Sequence, residues 1–170
     1  ENLEVDGKFF HFKYLLENGE TYTFIEKDED GQIILEEELN NIAIATTRPE
    51  TMLGDVAVAV HPSADRYKQI IGKKLHLPIC DRLIPIIEDE YPDPNFCSGA
   101  VKITGAHDFN DYAVAKRNNI PLYPLLDTKG NLRDDNSLEN TVPKKYKGLD
   151  RFVARERIVT DMNALNLTIK

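Results

Sequence analysis

The sequence predicts a mixed α/β fold in which short strands form a β-barrel-like core and a few helices flank it. Strand-length segments rich in aromatic and β-branched residues recur along the N-terminal half of the chain. Residues 56–60 form a continuous apolar run of the length of a buried strand. Helical patterning is confined to three stretches, 63–71, 108–117 and 151–165. The chain of 170 residues fits one domain, 1–170.

The N-terminal third is predicted to be β-structure. Residues 8–15 and 21–25 have the composition of strands, and the turn-forming residues 17–20 between them favour a hairpin. A second turn at 28–31 leads into a third strand at 32–35.

Three further strands are expected along the chain. Residues 41–46 alternate between apolar and other residues and run into a Thr-Thr-Arg-Pro loop. Residues 83–87 have strand composition, and Pro85 predicts that this strand lies at the edge of its sheet. Residues 99–104 form a strand that ends in a polar loop.

The helices have recognisable ends. Ser63 is the expected N-cap of the first, which Gly72 closes. Asp150 is the expected cap of the last helix. Apolar residues on one face of that helix are expected to be buried, namely Phe152, Ile158, Val159, Met162 and Leu165. The polar, turn-rich stretch 127–147 is expected to be a long loop.

Composition limits the partners and the location. The net charge of −8 has the wrong sign for a protein that grips nucleic acid through many phosphates, so any polynucleotide should be held only at a small end. No apolar run approaches the roughly 20 residues that cross a bilayer, and residues 1–4 lack the features of a signal peptide. Cys80 and Cys97 belong to no CxxC pair and are expected to be free thiols. We expect a cytoplasmic monomer without membrane contact.

The first concentration of chemically useful residues is the segment ATTRPETMLGD at 45–55. Hydroxyls and loop N–H groups of this kind bind carbonyl or ribose oxygens, and Arg48 is suited to a phosphate. The same residues fit a helix capping box, with Thr47 as the cap and Glu50 three positions later. Spacing alone leaves both interpretations open.

The second concentration lies at 99–111. Lys102 and Thr104 are two apart on a predicted strand and point to the same face. His107, Asp108 and Asp111 follow in a loop and a first helical turn, where aspartates also serve as caps. Capping explains the two aspartates and leaves the lysine, the threonine and the histidine unexplained, which favours a functional site.

A metal site is not predicted, although His61, His107, Asp108 and Asp111 are ligand types. Metal-dependent phosphohydrolases with a His-Asp pair need further ligands, and the chain has only four histidines. The motifs GxSxG, GxxxxGK[ST] and GxGxxG are missing, so neither a serine nucleophile elbow nor a triphosphate site is expected.

Both concentrations match known motifs. TTRPETMLGD at 46–55, followed by AVAVHP at 57–62, resembles the threonine-rich motif of valyl-tRNA synthetase editing domains. GAVKIT at 99–104 and AHDFNDY at 106–112 resemble the second editing motif of the same enzymes. The resemblance covers essentially the whole chain and implies the editing-domain fold of class I synthetases. It also implies hydrolysis of threonine wrongly esterified to valine tRNA.

The resemblance implies that editing and amino-acid activation take place in different domains of the enzyme. HIGH and KMSKS signatures are absent, so ATP and Mg²⁺ are expected only of a synthetic domain elsewhere, and editing itself implies no cofactor. The implied partners are the 3′ CCA end of threonyl-tRNA(Val) and the remainder of the synthetase.

The resemblance also implies roles for single residues. Asp111 resembles the aspartate that pairs with the α-ammonium of the misattached amino acid. Asp108 and Lys102 resemble the groups that recognise the hydroxyl of threonine. The residues expected around the ester and the attacking water are Thr46, Thr47 and Thr104.

Other implied roles lie at the margin of this site. Phe96 resembles an aromatic residue that stacks on the terminal adenine, and Arg48 a contact to the ribose–phosphate end. Glu50 and Thr51, in the same loop, are predicted to bind substrate. His107 is a candidate general base, with a ribose hydroxyl of the substrate as the alternative.

Three positions depart from the family pattern. Gly105 replaces a usual proline, which loosens the loop before His107. Ala113 replaces a usual glutamate, which puts one contact near the CCA end in doubt. Val56 replaces a frequent threonine, a change expected to be structural.

Two other functions compete with this one. The chain could be an editing domain of the leucyl or isoleucyl branch, or a free-standing deacylase. It could also be a non-catalytic β-rich module whose aspartates only cap helices.

Overall fold

The computed structural model describes residues 8–104, 108–137 and 140–169. Their eight strands are β1 (Phe10–Leu15), β2 (Tyr22–Lys27), β3 (Ile33–Leu39), β4 (Asn41–Thr46), β5 (Ala57–Val60), β6 (Lys74–Leu77), β7 (Arg82–Glu88) and β8 (Ala100–Ile103). The two α-helices are α1 (Phe109–Arg117) and α2 (Arg151–Ala164). Short 3₁₀ segments lie at Glu17–Gly19, Pro49–Gly54, Asp65–Ile70 and Lys144–Tyr146.

The strands form three sheets. β1 pairs with β4, β2 pairs with β3, and a four-stranded sheet has the order β6-β7-β5-β8. All these pairs are antiparallel except β5 with β7. One hydrophobic cluster joins residues of the sheets with α2. The mixed α/β class with short strands is confirmed, and within the described ranges the sheets do not close into a barrel.

The predicted hairpin of residues 8–15 with 21–25 is wrong. The turn forms, with Gly19 at a φ of 68°, but β1 pairs with β4 instead of β2. Phe12 lies opposite Ile44 and Tyr14 opposite Ile42, and all four side chains are completely buried. Burial of this shared face decides the pairing, because a strand pairs where its apolar face is covered.

Two other local predictions need correction. The helix expected at 63–71 is instead the short 3₁₀ segment Asp65–Ile70. Ser63 does not cap this segment, because its backbone N–H and its hydroxyl both form hydrogen bonds with Nδ1 of His61. β7 lies between β6 and β5, so it is not an edge strand. Pro85 is tolerated there because the parallel pairing with β5 covers only Ile86, Ile87 and Glu88.

The helix ends follow the sequence more closely. Asp108 caps α1 by accepting the N–H of Asp111, and Asp150 caps α2 by accepting the N–H groups of Phe152 and Val153. On α2 the prediction of a buried face holds for Ile158 and Met162, whereas Phe152 and Leu165 are exposed. No helix in the described part of the chain is long and apolar enough to span a bilayer.

β8 has two differently used faces. Ile103 belongs to a small apolar cluster with Val114 and Ala115 of α1, which packs that helix on the sheet. Lys102, next along the strand, points away from this cluster toward the segment that follows β4. The alternation of the strand therefore turns Lys102 and Thr104 toward the threonine-rich segment.

Candidate active site

A cavity of about 270 Å³ lies where the end of β4, the segment Pro49–Gly54, the end of β8 and the start of α1 meet. Eight of the residues predicted from the two motifs line it: Thr46, Thr47, Arg48, Thr51, Lys102, Thr104, Asp108 and Asp111. The two motifs are thus brought together in space, although they are far apart in sequence.

The Asp111 carboxylate is buried in the wall of this cavity, with 8% of the residue exposed. Its Oδ2 accepts the backbone N–H of Thr104 at 2.9 Å, which draws the first turn of α1 against the end of β8. Burial raises the pKa of Asp111 to about 6, and the Thr104 N–H opposes this shift. A cation placed beside such a carboxylate relieves the cost of its buried charge.

Lys102 is also buried, and three acceptors surround its ammonium group. Nζ donates to Thr51 Oγ1 at 2.7 Å, to Asp55 Oδ1 at 2.9 Å and to Thr104 Oγ1 at 2.9 Å. An ammonium group has three N–H donors, so these contacts use all of them. Lys102 therefore braces the two walls of the cavity, and donation to a ligand hydroxyl would require one of these bonds to break.

Asp55 and Tyr14 complete this network and were not among the residues predicted for the site. Asp55 is fully buried and accepts the Thr104 hydroxyl at 2.5 Å and the Tyr14 hydroxyl at 2.7 Å, besides Lys102. Burial raises the pKa of Asp55, while the Lys102 charge and the hydroxyl donors oppose this shift. A signal for Asp55 existed, since an aspartate next to a buried apolar strand needs partners.

The directions of these hydrogen bonds fix the polarity of the wall. Because an ionised carboxylate only accepts, the Thr104 proton points to Asp55. The Thr51 hydroxyl donates to the Arg48 carbonyl oxygen at 2.7 Å. Both hydroxyl oxygens also accept an N–H of Lys102, so each keeps one further lone pair that can accept a hydrogen bond from a ligand.

The capping-box interpretation of the first motif is wrong. The segment Pro49–Gly54 is 3₁₀ rather than α-helical, its N-cap position is Arg48, and no side chain caps it. The Thr46 hydroxyl oxygen instead accepts the Arg48 N–H at 3.0 Å, which shapes the loop at the cavity wall.

The chain is similar in sequence to valine–tRNA ligases. No family model matches the chain. The chain is 54% identical to a valine–tRNA ligase of Ruegeria pomeroyi and 56% identical to one of Francisella tularensis, over 99% of its own length in both cases. A valine–tRNA ligase of Caulobacter vibrioides is 51% identical over 94% of the chain.

The chain corresponds to one segment of the valine–tRNA ligase family. It spans only 19%, 17% and 16% of the lengths of the relatives from Ruegeria, Caulobacter and Francisella. Its fold is similar to the crystal structure of GlLeuRS-CP1, with a TM-score of 0.64 over 96% of this chain and 98% of that one. At 13% identity this similarity establishes the fold alone.

Two predicted residues of this valine–tRNA ligase segment lie outside the cavity lining. Glu50 is 1% exposed and pairs with Arg155 of α2 through two bonds, at 2.8 and 2.9 Å. Phe96 is 57% exposed and packs edge-on against Phe9, which does line the cavity, with ring centroids 6.0 Å apart. Tyr91 lines the cavity as well and was not predicted.

His107, the candidate base, lies outside the described residues together with Gly105 and Ala106. Among the residues that the structure describes, no group of three or more His, Cys, Asp or Glu side chains is arranged to hold a metal ion. Cys80 and Cys97 are free thiols, as predicted.

Proposed function

We propose that this segment is the editing domain of a valine–tRNA ligase and hydrolyses the ester between threonine and the 3′ end of valine tRNA. The observation that carries the proposal is the buried Asp111 carboxylate in the wall of a polar cavity, with Thr46, Thr47 and Lys102. The match to valine–tRNA ligases and the CP1 fold support the same conclusion.

Asp111 is the group that receives the α-ammonium of the aminoacyl ester. The Thr104 N–H occupies one acceptor position of Oδ2, and a carboxylate has about four such positions. An ammonium group would offset the cost of the buried negative charge, which gives the cavity a preference for a charged amine over a neutral group.

Discrimination against valine follows from the acceptors in the wall. Valine and threonine have nearly the same shape, and the synthetic site of valine–tRNA ligases is the known example of weak rejection, only about 100-fold. A threonine hydroxyl can donate to Thr104 Oγ1, Thr51 Oγ1 or the Asp108 carboxylate. Each of these acceptors already holds one donor within the protein, and the methyl group of valine cannot donate a second hydrogen bond to them. Threonine is therefore favoured by the free energy of that extra bond, about 0.5–1.5 kcal/mol for a neutral acceptor and about 1.5–3 kcal/mol for the carboxylate.

Hydrolysis requires a positioned water and donors for the developing oxyanion. The Thr46 hydroxyl accepts the Arg48 N–H, and its own proton can be donated to the ester oxygen. Thr47 and the loop N–H groups stand beside it at the cavity. His107 takes a proton from the attacking water, or a ribose hydroxyl of the substrate takes it while passing on its own proton. The ester C–O bond breaks and the ribose 3′ oxygen leaves with a proton, so the products are threonine and free tRNA(Val). No cofactor takes part in these steps.

The charge of the chain is consistent with recognition of the 3′ end alone. At −8 the chain lacks the excess of cations that holds an RNA body. Arg48 at the cavity meets the ribose–phosphate end, while the remainder of the synthetase grips the tRNA. The isolated chain should therefore bind bare tRNA weakly, and nanomolar affinity would contradict this account.

A deacylation panel tests the proposal. The chain is incubated with tRNA(Val) charged with threonine or valine and with isoleucyl- and leucyl-charged tRNAs, and released amino acid is measured. Threonine should be released selectively, and Asp111→Ala should slow that release roughly 10–100-fold through loss of a charged hydrogen bond. Asp65→Asn, which changes an exposed carboxylate paired with Lys68, is the matched control. Release of valine by the wild type at the same rate as threonine would refute the proposal.

A further inference from the structure

The exposed Phe96 belongs to a loop that one arginine holds in place. We call residues 93–99 the aromatic loop. Arg66 Nη2, from the segment Asp65–Ile70, donates to the carbonyl oxygens of Pro94 at 2.6 Å and Ser98 at 2.8 Å. Pro94 and Ser98 lie on either side of Phe96 in the sequence. The Arg66 guanidinium therefore holds both ends of the loop that carries the Phe96 ring.

Further hydrogen bonds hold the same loop in place. The Tyr67 hydroxyl also donates to the Ser98 carbonyl, at 2.7 Å, and the Ser98 hydroxyl donates to the Ala43 carbonyl of β4 at 2.6 Å. The Arg66 guanidinium lies over the Tyr67 ring at 5.1 Å from its centroid. The loop is thereby fixed to the strand that leads into the threonine-rich motif.

Gly99 ends the loop at a position where a larger residue would collide with Arg66 and with the Pro94 backbone. Its φ is 79°, a left-handed conformation that favours glycine. A Cβ at this position would lie 2.2 Å from Arg66 Nη2 and 2.8 Å from the Pro94 oxygen. The absence of a side chain at Gly99 therefore leaves room for the Arg66 guanidinium beside the loop backbone.

A second cavity lies on the other side of the loop. Its volume is about 440 Å³, and Arg66, Asn95, Cys97 and Ser98 line it together with residues of β2. A loop with a cavity behind it depends on side chains that reach across to it, because there is less packed core to support it. Arg66 is such a side chain.

The loop places two exposed rings at the entrance of the candidate active site. Phe96 is 57% exposed and Phe9 is 46% exposed. Their rings meet edge to face, and Phe9 lines the active-site cavity. Exposed aromatic rings beside a polar cavity offer a surface on which a nucleobase can stack.

We infer that Arg66 is a positioning residue that holds the aromatic loop in place. In this position the Phe96 ring packs against Phe9, and the two rings form a surface on which the terminal base of the tRNA stacks. The inference rests on the proposed function and adds to it the role of Arg66, which fixes the loop that carries Phe96. Arg66 itself touches neither the base nor the ester. Its removal should weaken recognition of the base and leave recognition of the amino acid intact.

Two stable ligands separate these effects. The first is adenosine whose 3′ oxygen is replaced by nitrogen and carries threonine as an amide, and the second is the same threonylamide on a ribose without a base. Binding of each to the 170-residue chain is measured by calorimetry. The variants are Arg66→Met and Phe96→Ala, and Lys68→Met is the matched control, since Lys68 lies in the same segment and pairs only with Asp65 among the described residues.

Arg66→Met and Phe96→Ala should each weaken the adenosine ligand about tenfold, the range of a lost base–aromatic stack, with the baseless ligand changed less than twofold. Lys68→Met should bind both ligands as the wild type does. Gly99→Ala, which forces Arg66 out of its place, should reproduce the Arg66→Met result.

The failures are distinguishable. If the wild type binds neither ligand, the proposed function fails and the inference falls with it. If the wild type binds both, and Arg66→Met either binds the adenosine ligand normally or loses both ligands in proportion, Arg66 has no positioning role, while the proposed function stands.

Discussion

The Lys102 ammonium lies 2.9 Å from the Asp55 carboxylate inside the protein, and this pair joins the two segments that form the candidate active site. Asp55 follows the threonine-rich loop, whereas Lys102 belongs to β8, which leads to Asp111. Through Thr51 and Thr104 the pair also orients hydroxyls on both walls of the cavity. The width and polarity of the cavity therefore depend on residues that need not touch a substrate.

Asp55→Asn should destabilise the fold strongly. Removal of one partner of a buried ion pair leaves the other charge uncompensated, which costs about 3–5 kcal/mol. The free energy of unfolding, measured by urea denaturation at pH 7, should fall by this amount. Asp65→Asn, which breaks an exposed pair with Lys68, should change it by less than about 1 kcal/mol. If the two substitutions lowered the free energy of unfolding equally, the buried pair would contribute no more to stability than the exposed one.

Asp111→Asn should separate stability from function. The pKa of Asp111 in the folded protein, about 6, lies above its ordinary value of 3.8, so folding favours the protonated form. This contribution to stability is fully present below about pH 4 and is lost as the pH rises through about 6. Asparagine is neutral at every pH and can still accept the Thr104 N–H.

The variant should therefore be at least as stable as the wild type at pH 7.5, while it loses threonine release. Urea denaturation at pH 4 and pH 7.5 with a deacylation assay checks both parts. A large loss of stability at pH 7.5 would assign Asp111 a structural role.

Ligand binding should depend on pH for the same reason. The ionised form of Asp111 is the one that attracts an ammonium group, so affinity for a threonylamide ligand should rise from pH 5 to pH 7. It should fall again at about pH 8, where the α-amine of the ligand loses its proton. The corresponding ligand with a hydroxyl in place of the amine should lack this dependence. Calorimetry of both ligands across this range is the measurement, and parallel curves would exclude Asp111 as the ammonium receptor.

Asp108→Asn should lower discrimination between threonine and valine without damage to α1. Asparagine is about as good an N-cap as aspartate, so the bond to the Asp111 N–H is kept. Loss of a charged acceptor for the threonine hydroxyl should reduce kcat/KM for the threonyl ester about tenfold, with little change for the valyl ester. If the ratio of kcat/KM for the threonyl ester to that for the valyl ester is unchanged, Asp108 does not recognise the threonine hydroxyl, and Thr51 and Thr104 remain as its acceptors.

The sequence predicted the site better than it predicted the sheets. Thr46 and Asp111 stood out as polar side chains beside apolar strands, their proposed roles came from the resemblance to known motifs, and the structure places both at one cavity. The pairing of β1 with β4 was missed, since the turn at Glu17–Gly19 is a local signal and burial of Phe12 and Tyr14 is a long-range effect. Asp55 was missed because its partners, Tyr14 and Lys102, come from distant parts of the chain.

Glu50 shows the same limit, because its position in the threonine-rich motif predicted substrate contact and the structure pairs it with Arg155 of α2. Glu50→Gln should therefore lower the free energy of unfolding by roughly 1.5–3 kcal/mol, the range for hydrogen bonds to a charged group. It should leave the ratio of threonyl to valyl ester hydrolysis unchanged, because the carboxylate does not line the cavity. Arg155→Met should have the same two effects, and the double variant should cost less than the sum of the single ones. A selective loss of threonyl ester hydrolysis in Glu50→Gln, at unchanged stability, would restore Glu50 to the substrate-binding residues.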